Sequence, residues 1–353
     1  MTRTRTAGLL GGLAGVVVLG AAAGLTAERY AVGRVRLGPD PDRDEPFFSL
    51  AADRSYSVTA DDGVSLHVDE VGPVDAALTV VLCHGYTQQS AVWHYQRLAL
   101  AAEDSVRLVL WDQRSHGRSG RSSPEHSTID QLGRDLQAVL AAVSPAAQVV
   151  LVGQSMGGMT IMALADQRPE LFGTTVTGVA LMSTSTGKMA QLTFGLPAVV
   201  SPVTRRALPW LTRGMTGRPQ LFERGRRMGT DLAFMATRRG AFGDTDVSPS
   251  LVAFVEQMTA ECPVEVIAAF YPTFLAHDKL AALDVLRDVE TLLLVGTKDR
   301  ITPPAHTQAM AAALPAAHVV EVEGAGHMVQ LERPELVSLQ LQALLRRASR
   351  ARR

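Results

Sequence analysis

Residues 148–158 read QVVLVGQSMGG, and their order decides the fold. Gln148–Val152 is a short apolar run rich in valine, the pattern of a strand buried on both faces of a parallel sheet. Met156–Gln167 then has the composition of a helix. Between them, Gly153-Gln154-Ser155-Met156-Gly157 fits the pattern G-x-S-x-G. The spacing has a physical reason: the chain must turn sharply from strand to helix, so glycine is needed on both sides and the serine hydroxyl projects from the turn. In a chain with 30 Gly the bare pentapeptide is weak, and the strand before and helix after give it its weight. The bland alternative is a serine that merely caps the helix.

Outward from this turn, strands and helices alternate. Tyr56–Ala60 and Ser65–Val71 read as strands around the turn Asp61-Asp62-Gly63. Strands follow at Thr79–Cys83, Arg107–Trp111, Thr177–Met182, Thr291–Val295 and His318–Val322. Helices are predicted over Ala91–Ala102, from Thr128 to about Val143, from Pro303 to Leu314, and from Pro334 onward. Thr128 and Gln131 have the spacing of a reciprocal capping box. Such alternation means βαβ units and a mainly parallel sheet with helices on both faces, an α/β fold. The rhythm stops between Gly187 and His277, which reads as a mostly helical insertion, a cap. Seven of the ten Phe lie there, and Lys188–Gly240 holds ten Lys/Arg against only Glu223 and Asp231. The expected organisation is therefore 1–49 anchor and linker, 50–186 with 278–353 core, and 187–277 cap.

A serine hydroxyl needs a base, and the base needs a partner to hold it. Both should lie in loops at the carboxyl ends of strands. His327 follows the strand His318–Val322, and Asp299 follows Thr291–Val295. The order Ser155, Asp299, His327 is that of one of the convergent triads. Asp246, Asp278, Asp284 and Asp288 compete for the acid role, but none follows a clear strand. A developing oxyanion needs two backbone N–H donors. Met156, next after the serine, offers one, and Tyr86 in His84-Gly85-Tyr86 offers the other. His84 reads as a holder of that loop rather than a base.

Taken together, His84-Gly85, Asp112-Gln-Arg114-Ser-His116-Gly117-Arg-Ser119, Gly153–Gly158, Gly296-Thr-Lys-Asp299 and Gly326-His327 resemble the α/β-hydrolase superfamily, in its capped, esterase-like branch. The resemblance covers roughly residues 55–345. It implies the α/β-hydrolase fold with an inserted cap, an ester-cleaving serine hydrolase working through an acyl-enzyme, and no cofactor or metal. It also implies that Asp112–Ser119 is a structural turn. Similar epoxide hydrolases and haloalkane dehalogenases carry Asp at the nucleophile position, where this chain has Ser155. The family often has Arg-Gly-His-Gly where this chain has Arg114-Ser115-His116-Gly117. Thioesterases, lactonases, C–C hydrolases, cofactor-free haloperoxidases and aminopeptidases share the triad, and a binding protein could keep the fold without its chemistry. An aromatic cap suggests an apolar substrate, or simply the cap's own packing.

The remaining features concern location and class. Residues Ala7–Ala27 carry no charge and are long enough to cross about 30 Å of bilayer core as a helix. Gly8/Gly12, Gly11/Gly15 and Gly20/Gly24 have the spacing of packed membrane helices. A membrane anchor is expected, with a cleaved signal peptide ending near Ala21-Ala22-Ala23, and hence a secreted chain, as the alternative. Gly38–Pro46 reads as an acidic, Pro-rich linker. A net charge of −1 over 353 residues argues against a dedicated nucleic-acid binder. Cys83 and Cys262 cannot form a disulfide framework, and Cys83 reads as a buried apolar residue.

Overall fold

The apolar runs assemble as one eight-stranded sheet in a computed structural model that describes residues 33, 36–103, 105–143, 148–187, 230–243 and 246–350. The strands are β1 Arg54–Thr59, β2 Ser65–Val71, β3 Leu78–Cys83, β4 Val106–Trp111, β5 Gln148–Gln154, β6 Val176–Met182, β7 Glu290–Gly296 and β8 His318–Val322. Their order across the sheet is β1-β2-β4-β3-β5-β6-β7-β8. β1 and β2 pair antiparallel, as do β2 and β4, while all pairs from β4 to β8 are parallel. β3, β4 and β6 are buried along their whole length, which is why their sequences run apolar rather than alternate.

Helices cover both faces. They are α1 His94–Ala101, α2 Ile129–Ala142, α3 Met156–Gln167, α4 Thr230–Ala241, α5 Pro249–Glu261, α6 Val264–Ala276, α7 Pro304–Ala313, α8 Val329–Glu332 and α9 Pro334–Arg350. On one face α1 and α9 pack on Val80, Leu82, Val150 and Leu292. On the other, α2, α3 and α7 pack on Val81, Val109, Leu151 and Leu293. Thr128 caps α2 through its hydroxyl, which accepts from Gln131 N–H at 3.1 Å. The capping box is only half made, because the Gln131 amide turns away and donates to Asp61 at 2.7 Å.

The described part of the insertion between β6 and β7 is helical: α4, α5 and α6. Its phenylalanines do not build a separate core. Phe234, Phe242 and Phe254 join the cluster under α1 and α9, and Phe270 and Phe274 pack beside α3 against Met156 and Met159. Most of the basic stretch within Lys188–Gly240 lies outside the described residues, as does Ala7–Ala27. Among the described residues no helix is long and apolar enough to cross a membrane.

The acidic stretch before β1 corrects its reading as a linker. Asp40, Asp42 and Glu45 all accept hydrogen bonds from the folded body, because α5 and α1 present donors to them. Asp40 supplies an acceptor for the Ser250 N–H at the start of α5, a helix whose own Ser248 makes no side-chain cap. An acceptor in that position stabilises a helix by about 1 kcal/mol.

Candidate active site

The carboxyl ends of β3, β5, β7 and β8 bring the candidate residues to one edge of the sheet. Ser155 stands between β5 and α3 at φ +54°, ψ −118°, a conformation that L-residues rarely adopt. The flanking glycines are needed for contact reasons. A Cβ on Gly157 would sit 2.0 Å from the Cys83 carbonyl oxygen, and one on Gly153 would sit 2.5 Å from the backbone of Gly157. The turn is tied down by Ser155 N–H donating to the Met182 carbonyl at 3.0 Å and by Thr184 Oγ1 donating to the Ser155 carbonyl at 2.6 Å.

His327 and Asp299 meet. His327 Nδ1 lies 2.9 Å from Asp299 Oδ2 and 3.1 Å from Oδ1, with both residues 4% exposed. An ionised carboxylate only accepts, so the proton is on Nδ1 and the lone pair is on Nε2. Burial alone would raise the Asp299 carboxyl, but the adjacent His327 and donors from Thr302 bring it below the ordinary value. Ile301 N–H, Thr302 N–H and Thr302 Oγ1 donate to it at 2.8, 2.9 and 2.8 Å. The four rival aspartates, Asp246, Asp278, Asp284 and Asp288, are all exposed.

Two residues unnoticed in the sequence join these loops. Gln154 Nε2 donates to the His327 carbonyl at 3.1 Å, so the residue before the serine holds the histidine loop. Glu332 accepts from Gly326 N–H at 2.8 Å and from Gly243 N–H at 2.8 Å, linking the histidine loop to the insertion. Thr302 was also missed, although its position three residues after Asp299 is the spacing of a local turn closed by side-chain hydrogen bonds.

Tyr86 lies on the loop after β3, and Met156 opens α3 just after β5. Among the described residues, neither the Tyr86 N–H nor the Met156 N–H has a backbone acceptor. His84 is a loop holder. Its Nε2 accepts from Gln113 N–H at 2.9 Å, which leaves Nδ1 to donate to the Gly85 carbonyl at 2.7 Å, and burial pushes the ring below its ordinary pKa. The loop after β4 is likewise a structural turn. Asp112 accepts from Ser90 N–H at 2.7 Å and from Arg118 N–H at 2.9 Å. The fully buried Arg114 is held by Asp135 at 2.6 Å and Asp62 at 2.7 Å. Ser115, where the resembled family often has glycine, takes φ +66°. Trp111 Nε1 donates to Cys83 Sγ at 3.3 Å, and burial pushes that thiol up to about 12, as suits a buried apolar residue.

Residues 80–338 match the model of the alpha/beta hydrolase family. The chain is 26% identical over 292 residues to the proline iminopeptidase PfmaB of Pestalotiopsis fici, covering 78% of this chain and 94% of that one. It is 27% identical over 234 residues to the lipase LipV of Mycobacterium tuberculosis, covering 63% of this chain and 85% of that one. A solved thermophilic esterase from Thermogutta terrifontis has the same fold, with a TM-score of 0.64 at 24% identity over 84% of this chain and 99% of that one.

Proposed function

The chain belongs to the alpha/beta hydrolase family, and on that premise we propose that it is a serine hydrolase that cleaves a carboxylic ester. The observation that carries the reading is the buried His327–Asp299 pair at the same sheet edge as the strained Ser155 turn. His327 Nε2 takes the Ser155 hydroxyl proton as Oγ attacks the ester carbonyl. The Tyr86 and Met156 N–H groups receive the oxyanion. As the tetrahedral intermediate collapses, the C–O bond to the alcohol breaks and His327 returns the proton to the leaving oxygen. Water, deprotonated by the same nitrogen, then removes the acyl group from Ser155. Asp299 stays ionised throughout and holds the ring in the required tautomer. No step calls for a metal or an organic cofactor.

The substrate is a small molecule with an apolar acyl or alcohol part. Met156, Met159, Phe270 and Phe274 form an apolar cluster next to Ser155, with Tyr86 packed against it, and this supports the choice. Residues 7–27 would hold the full chain to a membrane. The test is a panel of p-nitrophenyl esters of graded chain length, run beside proline p-nitroanilide, with wild type and Ser155→Ala. Ester turnover that favours longer acyl chains and vanishes in the variant supports the reading. Faster cleavage of the anilide than of any ester would replace the ester with an amide substrate.

A further inference from the structure

The acidic stretch before β1 grips the insertion and the core together. The Asp40 carboxylate accepts from Ser248 Oγ, from Ser250 N–H at 3.3 Å and from Ser250 Oγ at 2.7 Å, all at the start of α5. Asp42 accepts from the Tyr95 hydroxyl, and Glu45 from His94 Nε2 at 2.9 Å, both on α1. Phe47 stacks on Phe254 of α5 with centroids 4.4 Å apart, and Phe48 meets the same ring edge-on at 4.9 Å.

The far end of α5 holds the loop that carries Tyr86. Thr259 Oγ1 lies 3.3 Å from Thr87 Oγ1, and Gln89 Nε2 donates to Glu261 at 3.0 Å. From α6, the Ile267 carbonyl accepts the Tyr86 hydroxyl at 2.5 Å. Three residues of this short loop therefore hang from the insertion by side-chain bonds. Thr87 itself is at φ +58°, an outlying conformation for a β-branched residue that must be held by its surroundings. Ser250 and Thr259 are about 14 Å apart along a helix, a rigid lever between strap and loop.

We propose that residues 40–48 are a strap that sets the position of the Tyr86 N–H through α5, so that Asp40, Phe254 and Thr259 are positioning residues for the oxyanion. None of the three touches a reacting atom. This rests on the ester-cleaving reading of the site. A donor shifted away from the oxyanion weakens binding of the transition state but not of the ground state, so the loss falls on kcat and spares KM.

The test uses the full-length chain with Asp40→Ala, Asp40→Asn and Thr259→Val. Active sites are titrated with a fluorophosphonate, so that kcat is counted per competent site and a merely less stable protein shows no loss. Asp40→Ala and Thr259→Val should each lower kcat roughly tenfold with KM within about twofold. Asp40→Asn should recover most of the loss, because asparagine also accepts at a helix start. Backbone hydrogen exchange over residues 85–91 should quicken in Asp40→Ala. That arm needs no turnover, which separates the two claims. Faster exchange there supports the coupling whatever the substrate proves to be. Unchanged exchange over 85–91, or an unchanged kcat per titrated site in a chain that does cleave esters, overturns it.

Discussion

His327 donates from Nδ1 to a carboxylate that three further donors hold in place, and this decides which nitrogen is free to act. Asp299→Asn keeps the shape but can present an N–H to Nδ1, reversing the tautomer. A loss of about 10⁴ in kcat is expected, measured with the ester that wild type prefers. Thr302→Val removes one hydroxyl donor to the ionised Asp299 while keeping the volume. It should lower kcat roughly tenfold to hundredfold, in line with the loss of a hydrogen bond to a charged group. A neutral result would limit Thr302 to loop structure. The positions of Ser155, Asp299 and His327 at the carboxyl ends of strands were legible in the sequence, because each sits in the turn or loop that follows a strand, and strand ends are fixed by the sheet. Gln154, Thr302 and Glu332 were not, because their partners are loop backbone and side-chain atoms that meet only after the loops have folded.

Among the elements, the turn from β5 to α3 has the least room. Gly157→Ala would put a Cβ against the Cys83 and His84 carbonyls, both backbone atoms that cannot rotate aside. A destabilisation of about 3 kcal/mol or more is expected, read as a lower urea midpoint. Ser155→Ala, in contrast, should leave stability unchanged or raise it, since it removes only a hydroxyl from a strained turn. The acidic stretch shows where reading by composition stops. Gly38–Pro46 has the residues of a solvated linker, yet Asp40 finds an uncapped helix and Phe47 finds Phe254. Those partners lie some 200 residues away along the chain, beyond the reach of any local pattern. The cap's Phe content is the reverse case. The five Phe whose positions are described join buried clusters shared with the core, Phe270 and Phe274 in the one that includes Met156 beside Ser155.

Across the whole molecule, three buried histidines set how stability answers pH. Burial pushes His84, His116 and His277 below their ordinary pKa, His116 to about 3. Below about 6.5 the unfolded chain takes up protons that these rings refuse when folded. The stability they confer is therefore complete above that value and is lost as pH falls through each ring's lowered value, toward 3 for His116. Tm should decline between pH 6.5 and 4, and His116→Asn, which keeps a donor for the Arg114 carbonyl, should make the decline shallower. An equally steep decline in that variant would assign the effect to other groups. The sheet was legible at this scale because its central strands β3, β5, β6 and β7 are near-continuous apolar runs, and the helices because they alternate with them. Its strand order, with β2 beside β4, comes from tertiary pairing that no single segment encodes. The account as a whole turns on Ser155 as the nucleophile. Full-length protein treated with a fluorophosphonate and mapped by peptide mass spectrometry tests this most directly. A single adduct on the peptide containing Ser155, absent in Ser155→Ala together with ester turnover, is the predicted result. An adduct on another residue, or turnover that persists in Ser155→Ala, would contradict it.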